Sequence, residues 1–126
     1  KIEARLPPVI IAGDFNADPH GQLVQNDSDN EILDKSSAIE RLLREKGDNN
    51  KSAYESAYNL DDPDLYTTFK IRGPKTTRRV IDYIFYRQGS TCSLSCDRIL
   101  SVPSALSLEE TKLPGLRYPS DHLAIG

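Results

Sequence analysis

A carboxylate and an imidazole stand side by side near the end of the chain, at Asp121 and His122. The chain has two histidines, and His122 is the one that follows a Pro-Ser-Asp run and precedes an apolar one. Imidazole exchanges protons near neutral pH and is the commonest metal ligand among side chains. Acid–base or metal chemistry is therefore expected first at His122.

A second polar position follows the apolar run 9–12, where Asp14 and Asn16 are two residues apart. In extended backbone their side chains point the same way, and Phe15 between them points into the protein. An Asp-x-Asn after a strand is also a common turn cap. Both interpretations remain open on this motif alone.

The third polar position is Asp82, which stands inside the strand-like run 80–86. A carboxylate among apolar neighbours is costly to bury unless it is paired. Its partner could be His122, or an arginine close in sequence such as Arg79.

Together these positions suit the hydrolysis of a phosphoester. Such a site needs carboxylates that hold a divalent cation against phosphate oxygens. It also needs a group that positions or deprotonates water, and a donor that stabilises charge on the phosphorus. His122 suits the base or the donor role when a carboxylate fixes its tautomer, and Asp82 is the candidate for that carboxylate.

The elements that must position these residues alternate between strands and short helices. The apolar run 9–12 predicts a strand buried on both faces, and the stripe of Ile39, Leu42 and Leu43 predicts a helix over 36–46. Strands are predicted at 65–72, 80–86, 92–102 and from 123 onward, with helical turns at 52–58 and 107–111. This order indicates an α/β layered sandwich with a mostly antiparallel sheet and flanking helices.

Composition limits the chain to one domain or part of one. It has 126 residues, 37% of them hydrophobic, and a mean hydropathy of −0.53. It contains no methionine and begins at Lys1 just before a strand-like segment, so we interpret it as part of a longer protein. No apolar run approaches transmembrane length, and no membrane partner is expected.

The two cysteines, Cys92 and Cys96, lie too far apart in an extended strand for a disulfide, roughly 13 Å. With no signal segment visible they favour a reducing, cytoplasmic location, and mitochondria or the nucleus stay open.

The net charge of −3 excludes a generally basic nucleic-acid binder. Five cations nevertheless fall within ten residues that contain no acid: Lys70, Arg72, Lys75, Arg78 and Arg79. This basic strip indicates a local anion site, or else a solvated hairpin loop.

Three motifs resemble the last three motifs of the endonuclease/exonuclease/phosphatase superfamily, which has the DNase I-like fold, and they occur in the same order. They are residues 11–16 (IAGDFN), 81–85 (IDYIF) and 118–123 (YPSDHL). Within that superfamily, residues 66–72 (YTTFKIR) and 113–122 (LPGLRYPSDH) are most similar to the nocturnin and deadenylase branch. The resemblance implies that residues 1–126 are the C-terminal half of a four-layer domain whose N-terminal half carries the principal metal-binding glutamate and is missing here.

The resemblance also implies a role for each site residue. Asp14 would activate water, Asn16 would bind the phosphate, and Asp82 would orient His122, which stabilises the transition state. Asp121 and Asp14 would hold Mg²⁺, with Mn²⁺ as the alternative ion. Contacts to substrate would come from Asn16, Lys70, Arg72 and Phe69, although Phe69 suits a core role equally well.

The activity so implied is hydrolysis of RNA 3′ poly(A) phosphodiesters or of the 2′-phosphate of NADP(H). RNA or a phosphorylated dinucleotide would be the substrate, and deadenylase-complex proteins would be partners. The alternatives are another DNase I-like enzyme, such as a DNA-repair endonuclease or an inositol phosphatase, and a non-catalytic nucleotide- or RNA-binding module. With half of the domain missing, the 126-residue chain alone is expected to bind Mg²⁺ weakly and to hydrolyse little.

Overall fold

The computed structural model describes residues 5–19, 38–44, 50–108 and 112–126, without the side chains of Glu40, Arg44 and Arg72. Within these residues there are five strands, β1 (Val9–Asp14), β2 (Lys51–Ser52), β3 (Thr68–Arg72), β4 (Lys75–Arg79) and β5 (Asp82–Arg87). The helices are α1 (Ala38–Arg44), α2 (Ala105–Leu108) and a 3₁₀ turn at Ala53–Ser56. A mostly antiparallel α/β fragment is therefore confirmed.

The first sheet has the order β1-β5-β2, with both pairings antiparallel. In β5, Tyr83 and Phe85 are completely buried, while the alternate residues point to the other face. Opposite β5, the register of β1 pairs Gly13 with Tyr83 and Asp14 with Asp82. The sheet therefore has a core face and a second face that carries both carboxylates.

A hairpin of β3 and β4 forms the second sheet, with Arg72 paired to Lys75 across the turn. The last segment of the chain pairs with this hairpin through an antiparallel β-bridge between Thr68 and His122. Leu123 extends the contact by donating its N–H to the carbonyl of Thr67 over 2.8 Å. This junction places His122 and Leu123 beside the start of β3.

Two apolar clusters hold these elements together. The first surrounds the core face of β5 and consists of Ile39, Tyr54, Leu65, Val80, Tyr83 and Phe85. The second lies beneath β3 and consists of Tyr66, Phe69, Leu108, Leu113 and Leu123. The 3₁₀ turn that supplies Tyr54 begins with a capping box between Ser52 and Glu55, which satisfies two backbone donors reciprocally.

The prediction that β1 is buried on both faces is wrong. Ile10 is 64% exposed and Ile11 is 40% exposed. Within the described residues β1 pairs with β5 along one edge only, so its other edge and much of its apolar surface face outward. An apolar run indicates a strand, but it cannot say whether another layer covers it.

Three further predictions need correction. Residues 92–102 form no strand. The backbone of Leu94 is bonded by a side chain: Gln88 donates from its amide to the carbonyl of Leu94 and accepts from the N–H of Leu94. The strand expected from 123 is reduced to the bridge at His122. The basic strip, for which a solvated loop was one interpretation, contains strand β4. This strand was not predicted, because its Lys-Thr-Thr-Arg-Arg sequence has no apolar alternation.

The remaining sequence expectations were met in part. Helix α1 lies within the predicted range 36–46, whose ends fall outside the described residues. Helix α2 begins two residues before the predicted turn at 107–111, and residues 109–111 lie outside the description. Both cysteines are free. None of the described helices is long and apolar enough to cross a membrane.

Candidate active site

Two carboxylates face each other where β1 ends and β5 begins. Asp14 and Asp82 are direct partners across the antiparallel pair, so their side chains project from the same face of the sheet. Like charges in this arrangement repel each other unless a cation or a proton donor intervenes. Asp14 is exposed, whereas Asp82 is 7% exposed, so the pair runs from solvent into the protein.

His122 supplies the proton donor for the buried carboxylate. Its Nδ1 lies 3.1 Å from Oδ1 and 3.0 Å from Oδ2 of Asp82. An ionised carboxylate can only accept, so the ring donates its Nδ1 proton and leaves Nε2 to face the open side. Of the two partners first considered for Asp82, the structure selects His122 over Arg79.

Thr67 bonds to the backbone beside both members of the Asp82–His122 pair. Its buried hydroxyl accepts from the N–H of Ile81 over 3.0 Å and of Asp82 over 3.2 Å. Its carbonyl accepts from the N–H of Leu123, next to His122. Thr67 carries no functional signal in the sequence, because a threonine in a strand is ordinary and its spacing from Asp82 is not distinctive.

Asn16 lies against Asp14 rather than parallel to it. The backbone N–H of Asn16 donates to Oδ1 of Asp14 over 2.8 Å, and its side-chain amide donates to Oδ2 over 3.2 Å. The backbone of Asn16 has φ of 49°, a left-handed conformation that asparagine tolerates better than most residues. The extended geometry expected for this motif is therefore replaced by a turn that holds the exposed carboxylate by both oxygens.

Asp121 is engaged by Lys70 at the other edge of the imidazole. The Nζ atom of Lys70 lies 2.9 Å from Oδ2 of Asp121, and that oxygen lies 3.9 Å from Nε2 of His122. The hydrogen bond from Lys70 lowers the pKa of the Asp121 carboxyl below its ordinary value, and the positive charge of Lys70 adds to this effect. Asp121 therefore carries its negative charge next to the open nitrogen of the ring.

One group in the described residues offers clustered metal ligands: Asp14, Asp82 and His122, whose ligand atoms lie within 4.8 Å of one another. Mg²⁺ prefers oxygen and is usually held by one or two carboxylates, with water and substrate phosphate completing the shell. Asp14 suits this role best, because Asp82 already accepts from the ring of His122. The residues present fit part of a Mg²⁺ shell, and Asp121 lies outside this cluster.

Of the proposed substrate contacts, Phe69 is 5% exposed and belongs to the second apolar cluster. Lys70 has a side chain 15% exposed and is paired to Asp121. The side chain of Arg72 is outside the described part of the chain.

Two arginines of the basic strip also have partners within the protein. Arg78 lies over the rings of Tyr66 and Phe69, at 5.9 and 5.7 Å. Arg79 binds Asp18. Much of the strip's charge is therefore already engaged inside the fold.

Comparison with known proteins adds an independent observation to this geometry. The family model described as Endonuclease/Exonuclease/phosphatase matches residues 1–122. The chain belongs to this family. The matched range includes Asp14, Asn16, Asp82 and His122, and the match confirms the resemblance of the chain to this superfamily.

Similar proteins in this family include several named nocturnin. The chain is 33% identical to nocturnin of Xenopus laevis over 118 residues, 31% to that of Homo sapiens over 120, and 28% to that of Drosophila melanogaster over 125. Each match covers 94% of the chain but only 26%, 23% and 18% of the relative. The chain thus spans about a quarter or less of their length. No solved structure matches it significantly.

Proposed function

We propose that the protein containing this chain is a Mg²⁺-dependent hydrolase of phosphoesters. The observation that carries the proposal is the meeting of Asp14, Asp82 and His122, whose ligand atoms lie within 4.8 Å. These residues come from the ends of two paired strands and from the last segment of the chain. A structural histidine would need one partner, whereas this one lies between a buried carboxylate and an exposed one.

In this proposal His122 stabilises the charge that develops on the phosphate. Asp82 accepts the Nδ1 proton, so it fixes the tautomer and the orientation of the ring, as carboxylates do in other histidine sites. With Nδ1 bonded to Asp82, the ring stabilises this charge in its doubly protonated form, in which Nε2 donates its N–H to a reacting phosphate oxygen. Groups that are already oriented need no rearrangement when charge develops, which is the main source of their catalytic effect.

Asp14 positions or deprotonates the attacking water from the exposed side of the pair. Asn16 holds both oxygens of this carboxylate, and its amide turns to a phosphate oxygen when substrate binds. Asp14 would hold a Mg²⁺ ion, with Asp121 as the second ligand that the family resemblance implies, and the ion would neutralise phosphate charge. Water, substrate and the remainder of the protein would complete the shell of the ion.

The substrate proposed is the 3′ poly(A) end of RNA or the 2′-phosphate of NADP(H). The resemblance of residues 66–72 and 113–122 to the nocturnin and deadenylase branch supports this pair, as do the relatives named nocturnin. Lys70 and Arg72 would approach the substrate phosphates from β3. Deadenylase-complex proteins are proposed as partners in the RNA case.

A parallel assay of the full-length protein tests these substrates. Poly(A) RNA, NADPH, DNA with an abasic site and an inositol phosphate are incubated with the protein and Mg²⁺, with a chelator control and a His122→Ala control. The proposal is supported if the unaltered protein consumes RNA or NADPH with Mg²⁺ and neither the chelator control nor the His122→Ala control does. Consumption of only DNA or inositol phosphate contradicts the branch, and consumption of none contradicts a hydrolase. The 126-residue chain alone is expected to turn over little, and strong Mg²⁺-dependent activity from it would contradict that expectation.

A further inference from the structure

The segment that carries Asn16 is anchored to the protein immediately before and after this residue. The N–H of Phe15 donates to the carbonyl of Ile81 over 2.8 Å, and the ring of Phe15 packs edge-on against Phe85 at 5.3 Å. After Asn16, the carbonyl of Ala17 accepts from the hydroxyl of Tyr83 over 3.0 Å. Asn16 itself is exposed and in the left-handed conformation, so its position depends on these neighbours.

Asp18 provides the last of these anchors, through Arg79 of β4. The carboxylate accepts from Nε at 2.9 and 3.2 Å and from Nη2 at 2.7 Å. This is a two-pronged contact, the geometry in which arginine fixes orientation as well as distance. The side chain of Arg79 is 42% exposed and that of Asp18 is 30% exposed. Ion pairs at such exposed sites contribute little to stability. The contact thus determines where the segment lies more than whether the protein folds.

The backbone of Arg79 is tied to the other half of the site. Its carbonyl accepts from the N–H of Thr67 over 2.9 Å. Thr67 in turn accepts from the N–H of Asp82 with its hydroxyl and from the N–H of Leu123, beside His122, with its carbonyl. Arg79 therefore connects the segment of Asn16, which it holds through Asp18, to the segments of the Asp82–His122 pair, which it reaches through Thr67.

We propose that Arg79 is a positioning residue which, through Asp18, keeps Asn16 and Asp14 in register with His122. This inference rests on the proposed hydrolase function of the site. It also reassigns one charge of the basic strip, because a guanidinium bound to Asp18 holds the protein's own loop and is not a contact for substrate phosphate. The hydrogen bond to Asp18 raises the pKa of Arg79 above its ordinary value, so the guanidinium stays charged as the pH rises.

Variants of the full-length protein test the proposal. Asp18→Asn and Arg79→Gln each lower kcat about tenfold with KM changed less than about threefold, because a misplaced group loses more in the transition state than in the bound substrate. Arg79→Lys keeps the charge without the fork and gives an intermediate kcat. The exchange Asp18→Arg with Arg79→Asp restores kcat to within about threefold of the unaltered protein. Arg98→Gln, which removes an exposed arginine that belongs neither to the Asp14–Asp82–His122 cluster nor to the Asp18–Arg79 pair, is the matched control.

Two results would overturn the proposal. If Asp18→Asn keeps full kcat while Arg79→Gln raises KM, Arg79 contacts the substrate directly. If both variants lower the thermal midpoint by more than about 5 °C and the exchange restores stability without activity, the pair is only structural.

A measurement without turnover separates this inference from the proposed function. Hydrogen–deuterium exchange at the amides of residues 15–18 rises in both single variants and returns to the original rate in the exchanged pair. If the unaltered protein hydrolyses no phosphoester, the proposed function fails, and unchanged amide exchange would independently reject the role of Arg79.

Discussion

His122 and Asp82 are 40 residues apart in the chain, yet Nδ1 of the imidazole lies 3.0 Å from Oδ2 of the carboxylate. The contact joins Asp82, the first residue of β5, to His122, which forms a β-bridge with Thr68 of β3. Both partners are held through Thr67, by its hydroxyl and its carbonyl. The pair is therefore a property of tertiary packing, and its consequences can be measured.

Asp82→Asn is expected to lower kcat of the full-length protein by about 10² to 10⁴. The amide can offer a donor to Nδ1, which favours the wrong tautomer of the ring. The backbone N–H of Asp82 keeps its bond to Thr67, so the fold is retained. Steady-state kinetics measure the loss, and Asp64→Asn, at an exposed loop carboxylate, should keep full activity. Activity within threefold of the unaltered protein would contradict a catalytic Asp82.

Two neighbouring threonines provide a matched test of the support behind Asp82. Thr67→Val removes a hydroxyl that serves two buried N–H groups, and each donor left unsatisfied costs about 1–3 kcal/mol. Thr68→Val removes a buried hydroxyl that has no hydrogen-bond partner among the described residues, so its effect on the free energy of unfolding should be near zero or stabilising. Denaturant unfolding of the full-length variants measures both. Equal effects would show that the bonds to Thr67 carry no weight.

Lys70→Gln is expected to raise the pKa of the Asp121 carboxyl toward its ordinary value of 3.8. In the unaltered protein the pKa is lowered, so the stabilising effect of the pair is complete above pH 3.8 and is lost as the pH falls through the lowered value. The effect on stability is small, because Asp121 is exposed. Titration of ¹³C-labelled aspartate by NMR measures the pKa directly, and an unchanged value in Lys70→Gln would reject the pairing.

Removal of divalent cations should abolish phosphoester hydrolysis by the full-length protein, and added Mg²⁺ should restore it. Asp14→Asn weakens one charged ligand, so the Mg²⁺ concentration for half-maximal activity should rise about tenfold or more. Asp64→Asn is again the control and should leave the metal dependence unchanged. Full activity in the presence of a chelator would contradict the metal requirement.

How much of this site could be foreseen depended on the kind of signal each residue gives. Asp14 and Asp82 stand out because carboxylates next to apolar strand residues need a reason to be there. His122 stands out because the chain has few histidines. These signals are local in sequence, and together with the family motifs they were enough to predict which side chains are gathered.

The supporting contacts could not be foreseen in the same way. Neither Thr67 nor the Asp18–Arg79 pair differs from ordinary strand and loop residues until the register of β3, β4 and β5 is known. Strand β4 was missed for a similar reason, because its pairing with β3 and not its apolar pattern defines it. The opposite error occurred at 92–102, where β-forming residues find no paired strand within the described chain.

A double-mutant cycle on Asp82 and His122 tests the central claim most directly. Single-turnover rates are measured for the full-length protein, for Asp82→Asn, for His122→Gln and for the double variant, with the substrate that the unaltered protein consumes. If Asp82 acts through the imidazole, the double variant is no slower than the slower single variant, because the second change removes nothing further. Losses that multiply in the double variant would mean that the two residues act separately, and that the 3.0 Å contact between them is not the basis of catalysis.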